Sequence, residues 1–191
     1  MGSTVLYMSM SLDGYIAGPN ETDDNGLGDG GTRLHEWVFP AEGAVNRQIV
    51  DEFMSTGAVV AGRGTFEPAE GWHGDHHDGV PIWVLSRRPM PEWVNSMPAV
   101  HYTNDINAAF GAARTAAGDK HVLVHGASTA QRAISAGLLD EMEIHVIPVL
   151  LGEGRRLFEH LGSPQRELER LRVVTGEGGV THLRYRIRHS R

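Results

Sequence analysis

Short apolar runs rich in β-branched residues alternate along this chain with stretches whose apolar residues recur every three to four positions. That alternation is the pattern of a largely parallel sheet covered by helices. The strand-like runs are Thr4 to Ser11, Ala58 to Ala61, Pro81 to Ser86, Ala99 to Tyr102, His121 to His125, Glu143 to Val149, Leu168 to Thr175 and Val180 to Arg188. Helical spacing marks Gly43 to Ser55, where Val45, Ile49, Val50, Phe53 and Met54 form one stripe, then Ile106 to Ala117 and Ser128 to Leu138. Asp105 and Ser128 stand where N-caps belong. After Gly162-Ser163-Pro164 the last two strands meet at Gly176-Glu177-Gly178-Gly179, a β-hairpin appended to the alternating part. The expectation is one α/β domain over 1–191, with a mostly parallel central sheet of about eight strands and a C-terminal antiparallel hairpin.

A chain of 191 residues can bury a core without disulfides or structural metal. Its 17 basic against 24 acidic side chains leave a formal charge of -7, which disfavours nucleic acid and anionic membrane surfaces, so an anionic ligand must be captured locally. The absence of cysteine excludes thiol catalysis, Cys-ligated zinc and iron–sulfur clusters. Met1-Gly2-Ser3-Thr4 has no basic region, and the apolar stretch after it is broken at Ser9, Ser11 and Asp13, unlike a signal peptide. No run approaches the roughly 18 apolar residues of a membrane helix, and a cytoplasmic location is expected.

Several strand ends carry candidate chemistry. Ser9 to Gly18 closes the first strand in a polar turn around Asp13-Gly14, which also reads as a plain Asp-Gly turn. In Ala61-Gly62-Arg63-Gly64-Thr65-Phe66 the glycine admits a ligand to the backbone, the arginine can fork onto a phosphate and the hydroxyl adds a contact. Ser86-Arg87-Arg88-Pro89 ends the next strand, putting a second arginine on the same sheet edge, although either motif alone is also an ordinary basic turn. His125-Gly126-Ala127-Ser128-Thr129-Ala130 joins a buried-type strand to a helix and aims free backbone N–H groups and a helix dipole at an anion. It matches neither GxGxxG nor GxxxxGK[ST], and it also reads as a tight strand-to-helix turn. Glu70 to Gly79 is a loop in which His73, Asp75, His76, His77 and Asp78 resemble metal ligands. No i, i+4 pair on a helix fixes their geometry, so the reading is a polar rim of a substrate pocket, with no metal.

Taken in order, SLDGYIAG, GRGTF, LSRRP and HGASTAQRAISAGLLDEMEIHVIPVLLGEGRRLF resemble the dihydrofolate reductase superfamily, in its RibD C-terminal-domain branch, over nearly the whole chain. The resemblance implies a three-layer dihydrofolate reductase-like fold that binds NADPH. It implies that Gly62, Arg63 and Thr65 hold the adenosine 2′-phosphate and diphosphate. Ser86 and Arg87 would then hold the adenosine side, Gly126, Ala127, Ser128 and Thr129 the diphosphate, and Ile16 and Ala17 the nicotinamide. Ser11, Asn46 and Trp72 are the substrate-side candidates, and Asp13 or His125 would supply or relay a proton.

Two departures bear on the substrate. An ungapped count places Asn46 where a dihydrofolate reductase carries its pterin-binding acid, with Glu42 and Asp51 out of register. His125 stands where the riboflavin reductase often has Glu, and the deaminase domain usual beside that enzyme is not in this chain. The expected activity is hydride transfer from NADPH to a C=N or C=O bond of a heterocyclic or planar small molecule, 5-amino-6-(5-phosphoribosylamino)uracil-like in the riboflavin branch. Dihydrofolate reduction, and a non-catalytic nucleotide-binding protein that kept the fold, stay open as alternatives. An exposed hairpin and edge strands are compatible with a homodimer.

Overall fold

The computed structural model describes residues 2–22, 24–162 and 165–188. In chain order the strands are β1 (Thr4–Ser11), β2 (Tyr15–Ala17), β3 (Ala58–Gly62), β4 (Ile82–Leu85), β5 (Val100–Thr103), β6 (Val122–His125), β7 (Glu141–Ile147), β8 (Arg155–Arg156), β9 (Leu168–Thr175) and β10 (Thr181–Ile187). The α-helices are α1 (Gly43–Met54), α2 (Arg63–Phe66), α3 (Ile106–Ala117) and α4 (Ala127–Ser135).

Every residue of β1 except Met10 is buried, the pattern of a strand covered on both faces and paired on both edges. It lies inside an eight-stranded sheet of order β5-β4-β3-β6-β1-β7-β10-β9. The pairs from β5 through β7 are parallel, and β10 and β9 complete the sheet antiparallel. Side chains alternate across the pleat. Leu6 and Met8 therefore join Val60, Val124 and Ile144 under Phe110, Ala113, Ala130 and Ile134 of α3 and α4. Val5 and Tyr7 face the other way, where the Tyr7 ring meets Phe53 of α1 at 5.9 Å. Leu34, Trp37 and Val38, from the segment before α1, pack there on Ile49, Ile147 and Val180. The layers are helix, sheet and helix, as the resemblance implies.

The helix over Ile106–Ala117 is capped as expected: the Asp105 carboxylate accepts from the amides of Asn107 (2.9 Å) and Ala108 (3.1 Å). The expected cap at Ser128 is corrected. Gly126 takes φ 91 and ψ 144, turns the chain at the end of β6, and α4 begins at Ala127 with no side-chain cap. Its end also comes before the expected Leu138, because Gly137 adopts φ 68. The strand expected over Glu143 to Val149 runs instead over Glu141–Ile147.

Glu141 is inside the strand because its charge is matched across the sheet. Arg184 of β10 reaches Glu141 at 2.9 Å, while Arg172 of β9 reaches Glu52 of α1 at 2.6 Å and Glu143 at 3.0 Å. Glu143 is fully buried, and burial pushes its carboxyl up against the opposing pull of Arg172 and Arg184. Buried ion pairs of this kind hold partners in one arrangement rather than adding much net stability. Here they fix α1 and the C-terminal hairpin in register over the middle of the sheet.

Candidate functional site

Open parallel sheets bind ligands beyond the carboxyl ends of their strands. At that edge the turns after β3 and β6 interlock. A Cβ added to Gly126 would lie 2.5 Å from Thr65 Oγ1, and one added to Gly62 would lie 3.0 Å from Thr129 Oγ1. Each turn thus lays a threonine against the glycine of the other. Thr129 Oγ1 is buried and has no hydrogen-bond partner. The N-terminus of α4 opens on the same place without a side-chain cap, so its first amides and the positive end of its dipole are available to an anion.

Of the two arginines expected here, Arg63 is held by a neighbour. Arg63 Nε donates to Glu67 Oε2 at 2.7 Å, and Glu67 Oε1 accepts from the Tyr102 hydroxyl at 3.1 Å. Burial, with Glu67 beside it, drives the Tyr102 hydroxyl well above the ordinary phenol range, so it stays a donor. Ser86 Oγ donates to the carbonyl of Arg88 and accepts from its amide, shaping the turn that leaves Arg87 exposed. That turn and Val100 to Asn104 line an open groove of about 560 Å³. Arg155 of β8 was not singled out in the sequence. Its Nη1 would lie 3.3 Å from a Cβ on Gly64, and its Nη2 pairs with Glu21 at 2.7 Å, adding a cation to the Gly62–Thr65 turn.

Ile16 and Ala17 belong to β2, which pairs antiparallel with β8 through Tyr15 with Arg156 and Ala17 with Arg155. This approach needs glycine at 154, where φ is 129 and a Cβ would fall 2.0 Å from the Ala17 carbonyl oxygen. Asp13 anchors the arrangement. Its carboxylate accepts from Ser11 Oγ (2.6 Å), the Leu151 amide (3.1 Å) and the Gly152 amide (2.7 Å). The Ser11 hydroxyl, working against partial burial and helped by the Gly152 and Leu151 amides, holds the carboxyl down to about 2. So held, the carboxylate clamps the β1 turn to Leu151-Gly152. Ser11 is fully buried and also accepts from the Tyr15 amide at 2.9 Å, so it braces the same turn.

The α1 face also carries a chain of imidazoles. His125 Nδ1 lies 3.1 Å from the Tyr7 carbonyl oxygen, which requires the proton on Nδ1. His77 Nε2 lies 3.0 Å from the Thr56 carbonyl oxygen, which requires the proton on Nε2. Between them His76 faces His77 Nδ1 at 2.7 Å and His125 Nε2 at 3.3 Å. A neutral His76 has one proton for these two contacts, so one of them sets two lone pairs against each other, and the longer contact is the natural place. Burial, reinforced by the other histidines, pushes His76 down to about 2. Burial likewise brings His125 down to about 4, although Tyr7 opposes it. His125 thus donates its Nδ1 proton to a backbone carbonyl and links β1 to this chain of imidazoles.

Trp72 does reach this cluster, edge-on to His76 with ring centroids 4.6 Å apart. It sits in a left-handed turn, Glu70 to His73, with φ between 49° and 60°. Such backbone is strained in non-glycine residues. Among the described residues no group of three or more His, Asp or Glu side chains is arranged to hold a metal ion.

A second imidazole chain involves Asn46, which is 1 % exposed. Its Nδ2 donates to the Glu177 carbonyl at 3.2 Å, its Oδ1 accepts from His182 Nε2 at 3.0 Å, and His182 Nδ1 meets His145 Nδ1 at 2.8 Å. Both ends of the Asn46 amide are used, and the side chain orients the histidines. Trp37 lies 4.4 Å from His145 and 4.8 Å from His182 by ring centroids, and its indole N–H donates to Ser9 Oγ at 2.9 Å. His145, His182, Trp37 and Ser9 were not picked out in the sequence. The signal available was a histidine inside each of two strands that otherwise alternate in ordinary fashion.

The sheet order with its C-terminal hairpin and the loaded strand ends define a dihydrofolate reductase-like α/β fold. Solved structures share it. A protein of Shewanella sp. PV-4 assigned to riboflavin biosynthesis matches with a TM-score of 0.74 and 24% identity over 98% of this chain and 99% of that one. RibD of Acinetobacter baumannii matches at 0.66 and 20% identity, with 99% of this chain covering 59% of that one. A pyrimidine reductase-like protein of Corynebacterium diphtheriae matches at 0.65 and 14% identity, over 98% and 93%. The family model for the RibD C-terminal domain matches residues 3–181, and the chain belongs to that family. It is a reductase family whose members typically use a nicotinamide cofactor. The uncharacterized protein YwjB of Bacillus subtilis (strain 168) is 26% identical over 188 residues, 95% of this chain and 96% of that one.

Proposed function

We propose that the chain is an NADPH-dependent reductase acting on a planar, heterocyclic small molecule. The observation that carries this reading is the interlocked pair of turns, with Gly126 held at φ 91 beside Thr65, Thr129 Oγ1 buried without a partner, and the uncapped end of α4 beneath them. Residues of this kind fit a diphosphate: the amides of Ala127, Ser128 and Thr129 would bind it, and Arg63, Thr65 and Arg155 would add charge and hydroxyl contacts. Ser86 and Arg87 would line the adenosine end, with Ile16 and Ala17 beside the nicotinamide. When bound, NADPH supplies a hydride.

The protein's own contribution is to bind, align and exclude water. Asp13 locks the β1 turn against Gly152, which keeps β2 on β8. With Asp13 ionised and His125 neutral, the proton that accompanies reduction reaches the substrate through water.

Arg63 is the residue to test. A guanidinium meeting the 2′-phosphate in a partly exposed pocket gains about 1.5–3 kcal/mol, roughly ten- to a hundredfold in affinity. Removing it also frees the Glu67 carboxylate, which Arg63 now neutralises. Arg63→Ala is therefore expected to weaken NADPH by about that factor and to leave NADH nearly unchanged, with the gap shrinking as salt is raised. Equal losses for both cofactors, measured by fluorescence titration, would assign Arg63 to the diphosphate or to the fold.

A further inference from the structure

We infer that His76 and His125 bind one divalent transition-metal ion of the zinc class between their facing Nε2 atoms, with water or a carbonyl oxygen completing a tetrahedral shell. Such a site is independent of the reductase reading, and it stands in place of the metal-free rim expected for the loop that carries His76.

Hydrogen bonds at the far end of each ring fix where the lone pairs lie. Thr56 Oγ1 donates to the Phe53 carbonyl at 2.8 Å, so it accepts from His77 Nε2, 3.1 Å away. The Thr56 carbonyl, 3.0 Å from the same nitrogen, makes the same demand. His77 therefore carries its proton on Nε2 and offers a lone pair at Nδ1. His76 Nδ1, 2.7 Å from it, supplies the proton for that contact, which leaves His76 Nε2 bare. His125 is bare at Nε2 as well, since its proton lies on Nδ1 against the Tyr7 carbonyl. Two lone pairs thus face each other at 3.3 Å, and among the described residues each has only the other for a partner.

A metal ion turns that repulsion into two bonds. At the usual Zn–N length of about 2.0–2.1 Å, nitrogens 3.3 Å apart subtend about 104–111° at the ion, which brackets the tetrahedral angle. A linear two-coordinate ion would need them roughly 4 Å apart. The ring centroids are 5.3 Å apart and the planes are inclined at 34°. That is closer than rings meeting end to end, so the lone pairs converge to one side of the line between them. Each ring also has the outer partner that holds a metal-binding imidazole in place: Nδ1–H on a backbone carbonyl for His125, and on His77 for His76.

The surroundings admit an ion. Both rings are half-buried, while His77 is 4% exposed. Among the described residues the charges felt at the two rings come from other histidines, not from arginine or lysine. Asp75 and Glu70 are turned to other partners, Asp75 accepting from the Gly79 amide at 3.0 Å and Glu70 lying 3.8 Å from His73. Two imidazoles without a carboxylate suit zinc, copper or nickel and reject magnesium and calcium, which take oxygen. Positions left to solvent are the mark of a catalytic rather than a structural ion.

Tag-free protein stripped with chelator is expected to take up one Zn²⁺ per chain in a calorimetric titration near pH 7, and no Mg²⁺. Co²⁺ in place of Zn²⁺ should give the intense visible absorption of a tetrahedral ion. His76→Ala and His125→Phe are each expected to weaken zinc by about a hundredfold or more, beyond the roughly ten- to hundredfold that losing an outer partner costs. His73→Ala, in the same loop with a side chain 83% exposed, should leave zinc binding unchanged. Long-range ¹H–¹⁵N spectra of the metal-free wild type should show His76 and His125 protonated on Nδ1 alone, with zinc shifting both Nε2 resonances, a readout that needs no variant to fold. Absence of saturable zinc binding, zinc retained by both variants as an adventitious surface ion only, or a proton on either Nε2 in the metal-free protein overturns the inference.

Discussion

Between pH 7 and pH 5 the folded chain is expected to lose much of its stability. Burial lowers the basicity of His35, His76, His125, His145 and His182, although Tyr7 partly opposes it at His125 and Gly31 at His35. Below the ordinary histidine value near 6.5 the unfolded chain binds protons that the folded chain refuses. The stability from neutral, buried imidazoles is therefore complete above about pH 6.5 and lost as pH falls toward the folded values, which are about 4 for His125 and His182 and about 2 for His76. Each such histidine costs up to about 1.4 kcal/mol per pH unit. His145 and His182, 2% and 0% exposed, give about 3 kcal/mol per unit together, against a typical total of roughly 5–15 kcal/mol.

Glu143 works against this, since burial raises its carboxyl and its stabilising contribution grows in acid. One carboxyl offsets at most part of the histidine sum. Thermal melts followed by circular dichroism should fall by about 6–12 °C per pH unit below pH 6, at roughly 2–4 °C per kcal/mol for a chain of this size. His182→Gln should flatten the slope by one proton. A melting temperature unchanged from pH 7 to pH 5 would mean that the imidazoles are solvated and their chains are not formed.

Gly126→Val is expected to weaken NADPH by about a hundredfold or more, close to 2.7 kcal/mol. At φ 91 a branched side chain is strained, and its Cβ would lie 2.5 Å from Thr65 Oγ1. The valine must push the two turns apart or fill the approach to the α4 amides, and either defeats diphosphate binding. The same strain should cost about 1–3 kcal/mol of stability, so folding has to be monitored alongside. Gly111→Ala is the control. It lies in α3 with nothing within 4 Å of an added Cβ, and should leave affinity unchanged while adding about 0.5–1 kcal/mol of stability. Wild-type affinity in a folded Gly126→Val protein would remove the diphosphate from this turn.

What the sequence conveyed about the fold was periodic. β1, α1 and α3 announce themselves through runs or stripes longer than one turn, and they lie within a residue of their expected bounds. β2 and β8 have three and two residues, too few for any period, and they meet through contacts such as that of Asp13 with Gly152, 139 positions away. β7 starts two residues before the expected Glu143 because Glu141 looks like a solvated acid until Arg184 is brought beside it. The candidate cofactor turns were legible because their meaning is local: glycine, hydroxyl and arginine at a strand end. The imidazole chains were not, since His145 and His182 are 37 residues apart and Asn46 and His182 are 136 apart. Only the antiparallel return of β10 puts them together. The same long-range contacts make Asn46 and Asp13 parts of the frame.

The most direct test of the account is a calorimetric titration of the wild-type protein with NADPH and with NADH at low salt. The expected result is one NADPH bound per chain, roughly ten- to a hundredfold tighter than NADH, as one guanidinium at the 2′-phosphate allows. Absence of saturable binding by either nucleotide, or equal affinity for the two, would contradict it.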